Sequence, residues 1–316
     1  MSQSKFEEVY NEFNLKLKHG EYDDALYMVP ILLELARNNE VEIFYTLMGK
    51  ATALTSLQKN DEVVDTYDEV ITKFDASTHE SIQKYLAYAY YNKALIFAKE
   101  RNFKKELETY DALLEKFIVD ISHHTEVVLV KAYLNKAVCA SEVGEDKDAI
   151  AVYRELESNF CHSDDDHTIE QVATASYNIA LIHAQYDENE EAIAAYEHVI
   201  DKYKESQNEN VLELVAKSMV NKAGRLKMQY KNKEALEIYD EIIDMFLDSS
   251  NKLQKQVALA LHNKSVILSQ MNNETALMDT CELIIERFSH FNDEMIQNIV
   301  SSAQVIKDKE RFNNSF

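Results

Sequence analysis

From Cys161 to His167 the chain reads CHSDDDH, which concentrates Cys161, His162, Asp164, Asp165, Asp166 and His167, all metal-ligating types, in seven residues. His124 stands 43 residues before His167, with His123 beside it. A calcium loop needs a glycine at its sharp turn and a closing glutamate, and this stretch has neither. Zinc needs Cys and His converging from rigid elements at set spacings. A polar loop that ends in an aspartate helix cap accounts for the same letters, so no metal and no cofactor are expected. The chain also lacks a nucleophile elbow, a glycine-rich phosphate loop and a pair of carboxylates set among apolar residues. No catalytic residues are expected, and the chain reads as a protein that is not an enzyme.

A second chemistry is spread along the chain. Asn92, Asn135, Asn178, Asn221 and Asn263 recur at intervals of 43, 43, 43 and 42 residues. A side-chain amide both donates and accepts, so a line of them can pair with the backbone of an extended peptide whatever its sequence. Tyr91 and Tyr177 directly precede their asparagines, and Tyr88, Lys131 and Lys217 each stand four residues before one. These ten residues are the candidate peptide-binding set. Lys50, Lys93, Lys136, Lys222 and Lys264 follow the asparagine positions as a possible basic seam, which Ile179 interrupts and whose first member follows Gly49 instead of Asn. Two plainer readings stand beside these: each Asn bonds within its own repeat and fixes packing, and each Lys forms an ordinary surface ion pair.

Tyr67, Tyr110, Tyr153, Tyr196 and Tyr239 keep the same 43-residue interval, and a period this regular means stacked modules. With four Gly and one Pro in 316 residues, there is too little punctuation for strands and hairpins. Helices are therefore expected almost throughout. A formal charge of -23 opposes the basic stripe that nucleic acid or an anionic membrane surface would need. A neutral or basic protein or peptide partner fits better, and a second copy of the chain remains a candidate. Cys139, Cys161 and Cys281 show no paired spacing, the N-terminus has no apolar signal core, and no apolar run reaches membrane-spanning length. The expected location is the cytoplasm.

Helical periodicity places a first pair over 3–19 and 21–36, with Pro30 inside its second helix as a source of a kink. Longer first helices are predicted near 40–58, 79–100, 123–143, 167–186, 209–229 and 251–271. Second helices fall near 61–75, 103–118, 146–161, 189–205, 232–248 and 274–289, and a last helix near 293–311. Ser77 with Glu80 and Ser206 with Glu209 match the capping box. Gly20, Asn60, Asn102, Gly144, Asn189, Asn232 and Asn272 are the expected left-handed turn residues. Second helices carry one apolar stripe, as in Ala192, Ile193, Tyr196, Val199, Ile200 and Tyr203, with acids on the outer face. First helices place Ala89, Ala132, Ala175, Ser218 and Ala260 before the asparagines, and Ala94, Ala137, Ala180, Ala223 and Ser265 after them. Such small residues allow helices to approach closely.

The stretch YNIALIHAQYDENEEAIAAYEHVI joins Asn and a small residue to a polar turn, a Glu-Ala-Ile step and an aromatic four residues past the Ala. It resembles the tetratricopeptide repeat, and the likeness covers nearly the whole chain. Two departures are the 43-residue period, against about 34 in that family, and the absence of the unit-closing proline. The resemblance implies an all-α, right-handed superhelical solenoid of about seven helix pairs and a C-terminal capping helix. One array is expected over 1–316, with an atypical N-terminal capping repeat over 1–38 and a C-terminal helix and tail over 291–316. It further implies a scaffold or adaptor whose first helices line a concave groove for a partner's peptide segment. A peptide-responsive regulator and a self-assembling structural component are the alternatives.

Overall fold

The structure is a computed structural model and describes residues 5–119, 121 and 123–313, with the side chains of 123, 124 and 310–313 left aside. Fifteen helices and no strand occur among the described residues. The first helix of each pair is α1 (Lys5–His19), α3 (Glu40–Ser56), α5 (Glu80–Lys99), α7 (His123–Glu142), α9 (Asp166–Gln185), α11 (Glu209–Met228) or α13 (Asn251–Gln270). The second is α2 (Tyr22–Ala36), α4 (Asn60–Phe74), α6 (Phe103–Phe117), α8 (Asp146–Phe160), α10 (Asn189–Tyr203), α12 (Asn232–Phe246) or α14 (Glu274–Phe288), and α15 (Glu294–Asn313) closes the series. The chain forms two compact units, Met1–Leu156 and Glu157–Phe316, and the division falls within α8. No helix among the described residues is long and apolar enough to cross a membrane.

Each unit is a stack of antiparallel pairs. In the first, α1, α3, α5 and α7 touch in succession; in the second, α9, α11, α13 and α15 do. Of the second helices, α2, α4, α6, α10, α12 and α14 each wedge between their own first helix and the next, yet α2, α4 and α6 do not touch one another, nor do α10, α12 and α14. First helices therefore line the inner, tighter side of each unit. Small residues make that approach possible, and Ala89, Ala94, Ala132, Ala137, Ala175, Ala180, Ala223 and Ala260 are all fully buried. The tyrosines of the second-helix stripe are buried too, with Tyr110, Tyr196 and Tyr239 at 0–1% exposure.

The first pair departs from this scheme for a steric reason. A Cβ at Gly49 would lie 2.4 Å from the Phe13 ring, which is completely buried. Phe13 holds the place that Ala51 and Ala94 hold in later pairs, so a large ring on α1 faces a missing side chain on α3. This exchange leaves no side chain at Gly49, in the place that asparagine holds in the later first helices.

The turns within pairs correct part of the sequence reading. The left-handed residues are Gly20, Gln58, Arg101, Gly144, Asp187, Tyr230 and Asn272. Each donates its N–H three residues back, and the next residue donates five back, as in Tyr230 N to Lys227 O and Lys231 N to Leu226 O at 2.9 and 3.0 Å. This is the hydrogen-bonded helix end that usually selects glycine. Asn60, Asn189 and Asn232 lie just beyond it as first residues of their helices, and Asn102 caps α6 by accepting from Lys105 N. The predicted capping boxes are replaced as well. Asn208 caps α11, accepting from Asn210 N and Val211 N, while Ser206 accepts from Asn208 N. His79 precedes α5, and its N–H reaches Ser77 Oγ. Each serine stands two residues ahead of the cap, so its hydroxyl closes a turn on the cap residue's own amide. Tyr230 is 91% exposed and pays the left-handed penalty for no contact. Tyr230→Gly should raise stability by about 1 kcal/mol, read from urea unfolding.

Candidate functional site

The asparagines lie half-buried on the first helices, at the edge that faces the preceding pair. Asn135 on α7 donates to Tyr91 Oη of α5 at 3.1 Å and to Tyr110 Oη of α6 at 3.2 Å. On α11, Asn221 donates to Tyr177 Oη of α9 at 3.0 Å and also meets the Tyr196 hydroxyl of α10. Asn92 meets the Tyr67 hydroxyl and Asn263 that of Tyr239 in the same way. Asn178 is half-buried on α9. Burial raises Tyr110 and pushes Tyr196 and Tyr239 up to about 12, with the facing amide opposing the shift. These phenols stay protonated at neutral pH and serve as buried hydrogen-bonding groups. The bonds thus join successive repeats, in contrast to the expectation of bonding within one repeat. At Asn135 both amide hydrogens are taken, and the carbonyl oxygen is left without a partner among the described residues.

The lysines after the asparagines complete the same junction. Lys93 pairs with Asp68 at 2.5 Å, Lys136 with Asp111 at 2.6 Å, Lys222 with Glu197 at 3.0 Å, Lys307 with Glu282 at 2.6 Å, and Lys264 with Asp240. Each carboxylate directly follows the second-helix tyrosine, or Cys281 in the last case. Lys93, Lys136, Lys222 and Lys264 of the possible basic seam are therefore held in inter-repeat ion pairs, and no ion pair of Lys50 is found among the described residues. On α9, Ile179 takes the lysine's place, and on α8, Arg154 takes the carboxylate's.

Tyr88 and Lys131 lie half-buried one helical turn before Asn92 and Asn135, on the face turned away from the second helices. Leu95 and Val138, three residues past the same asparagines, share that face and are 37% and 47% exposed. In the second unit Leu181 holds the equivalent place at 39%. Reading three residues past Asn92, Asn135 and Asn178 finds these positions, whereas the same step from Asn221 reaches Gly224. Lys217 is engaged by Glu213 of its own helix at 2.6 Å, and Lys252 reaches the same carboxylate at 3.4 Å. Burial pushes the Glu213 carboxyl up, but the two ammonium groups outweigh it and hold the group low.

In the loop after α8, Asp165 is the cap of α9 and accepts from Thr168 N at 2.8 Å. No group of three or more metal-ligating side chains comes together among the described residues, and the side chains of His123 and His124 lie outside them.

One core position carries an ionisable group. Glu106 on α6, 5% exposed, stands where Ala149, Ala192 and Ala235 stand in other second helices. Burial raises its carboxyl, the facing Cys139 thiol lowers it, and the charge of Glu142 raises it again. The thiol is pushed up to about 12 by burial and by Glu106.

No family model matches the chain, and no curated protein matches it. Among solved structures it is similar to the C-terminal part of a TPR repeat-containing protein from Cytophaga hutchinsonii, with 13% identity and a TM-score of 0.58, over 92% of this chain and 99% of that one. It is also similar to the apo form of RapI, with 12% identity and a TM-score of 0.59, over 100% of this chain and 89% of that one. At these identities the likeness is one of fold.

Proposed function

Starting from a tetratricopeptide-type helical-repeat fold, we propose that the protein is an interaction scaffold whose inner face binds an extended peptide segment of a partner protein. The carrying observation is the composition of that face. In the first unit Tyr88, Leu95, Lys131 and Val138 project away from the second helices, which suits an extended chain gripped by apolar and aromatic side chains. The candidate set of Asn92, Asn135, Asn178, Asn221 and Asn263 with Tyr88, Tyr91, Lys131, Tyr177 and Lys217 contributes unequally in this reading. Tyr88 and Lys131 make the contact, whereas the asparagines, Tyr91 and Tyr177 hold the helices that present it. The charge of -23 favours a neutral or basic segment, and the cytoplasm is the proposed location, to be read by fractionation. The unbroken 43-residue period from Tyr67 to Tyr239 supports one array over 1–316. A single cooperative urea transition would agree with that, and two transitions with a protease-sensitive site near Leu156 would count against it.

Peptides selected from a displayed random library supply the binding test. Tyr88→Ala with Lys131→Glu should weaken the selected peptides about tenfold or more, the scale of one lost anchor. Glu155→Lys with Glu237→Lys, on the exposed faces of α8 and α12, should leave them within about twofold. Glu197 is unsuitable for that control because it pairs with Lys222. Loss of binding only in the second variant would move the site to the outer face.

A further inference from the structure

The outer face of α2 differs from that of the other second helices. At three outward places α4 carries Asp65, Asp68 and Glu69, and α12 carries Glu237, Asp240 and Glu241. Every other second helix sets at least one charged residue there, as α6 does with Glu108 and Asp111. On α2 the same places hold Tyr27, Pro30 and Ile31. Tyr27 is 80% and Ile31 52% exposed, and no charged residue occurs from Ala25 to Leu33. Half-buried Leu26, Met28, Leu33 and Leu35 flank them. A helix that is apolar on every side is ordinarily a covered one.

Charge selects what covers it. Two chains of net charge -23 repel each other, so they can approach closely only where neither presents a charge. The ends of the helix then supply complementarity. Asp23, Asp24, Tyr27, Pro30, Ile31 and Glu34 are all exposed and share one face of α2 at the helical period, and exposed Arg37 follows the helix end. Lys16 meets Glu21 and Asp24 at 3.0 and 3.2 Å, which leaves Asp23 outside that pair, and Arg37 has no ion pair among the described residues. Turned end for end about an axis between Pro30 and Ile31, the face matches itself. Asp24 and Arg37 are equally far from that axis in sequence, and so are Tyr27 and Glu34. Each acidic end therefore meets the other copy's Arg37, each Tyr27 hydroxyl can donate to the other copy's Glu34, and the uncharged middles pack together. A two-fold axis makes every such contact twice.

We infer that α2 docks against α2 of a second copy of the chain, antiparallel about a two-fold axis at Pro30 and Ile31. The contact lies on a second helix and is independent of peptide binding on the inner face. Sedimentation equilibrium of the full chain should show the mass rising from one copy toward two between about 1 and 100 µM. Ile31→Glu and, separately, Tyr27→Lys should each raise the dissociation constant about a hundredfold or more, because a substitution enters a two-fold interface twice. Both sites are exposed, and circular dichroism verifies that the helices are kept. Charge exchange tests the pairing itself. Arg37→Glu should weaken self-association, and so should Asp23→Arg combined with Asp24→Arg. An equimolar mixture of these two variants should recover the mass of the parent, since both ends of the mixed dimer then join opposite charges. A mixture no heavier than its components would overturn the antiparallel pairing. A dimer that tolerates both Ile31→Glu and Tyr27→Lys would overturn the choice of face. A parent chain that stays monomeric to about 100 µM would overturn the second copy as occupant and leave the face to a different protein.

Discussion

Asn135→Ala is expected to cost about 1–3 kcal/mol of folding stability, because it leaves a buried hydroxyl without its donor. Tyr110 is completely buried, and its Oη sits 3.2 Å from the Asn135 amide nitrogen. Tyr91 loses a contact in the same step. Urea unfolding of Asn135→Ala, Tyr110→Phe and the double variant completes the test. The double variant should be less destabilised than the two single losses added together, since removing both polar partners leaves nothing unsatisfied. The chain already carries an apolar form of this junction, with Cys281 and Ile306 in the tyrosine and asparagine places and the Lys307–Glu282 ion pair retained. An Asn135→Ala variant that unfolds like the parent would show that the hydrogen bonds add nothing to the junction. The expected cost also means that weak binding by asparagine variants would not locate a peptide site. Tyr88 and Lys131 serve that purpose because no junction bond depends on them.

The second large effect concerns Glu106. Its carboxyl is raised in the folded protein, chiefly by burial, so its contribution to stability is fully present below the unfolded value and is lost as pH rises through the folded one. Once pH has passed that folded value, the fold carries a desolvated charge facing the Cys139 thiol of α7. Glu106→Gln keeps the shape and an acceptor for the Cys139 thiol while removing that charge. The variant should match the parent at acid pH and exceed it once pH has passed the folded value, by about 1–3 kcal/mol, the scale of a poorly compensated buried polar group. Thermal melts of both proteins across that pH range give the comparison. Equal melting temperatures throughout would show that solvent reaches the carboxylate.

Helix order and helix ends were readable because the 43-residue period places equivalent letters in equivalent surroundings. The buried alanines and tyrosines were readable for the same reason: small residues and aromatics held at a fixed helical phase mark a packed face. Turn chemistry was less legible. Arg101, Asp187 and Tyr230 adopt the left-handed conformation because the helix-end hydrogen bonds demand it there, and nothing in their side chains advertises this. The asparagines were recognised as one set, but their role depends on tyrosines 24 to 44 residues away, a pairing that appears only once the repeats are stacked. Lys93, Lys136 and Lys222 resemble a basic strip until Asp68, Asp111 and Glu197 are placed beside them.

First helices that touch, and second helices that do not, give each unit an uneven mechanical response. Pulled along the stack, a unit opens like a fan about the first-helix contacts, with the outer edges separating most. The ion pairs from Lys93 to Asp68 and from Lys136 to Asp111 tie each second helix to the next first helix, at side-chain exposures of 18–20% for the lysines and 49–52% for the acids. Charges so placed are screened over about 8–10 Å at ordinary ionic strength. The unit should therefore behave as a spring whose stiffness falls as salt is added, while its apolar inner contacts keep the coils in register.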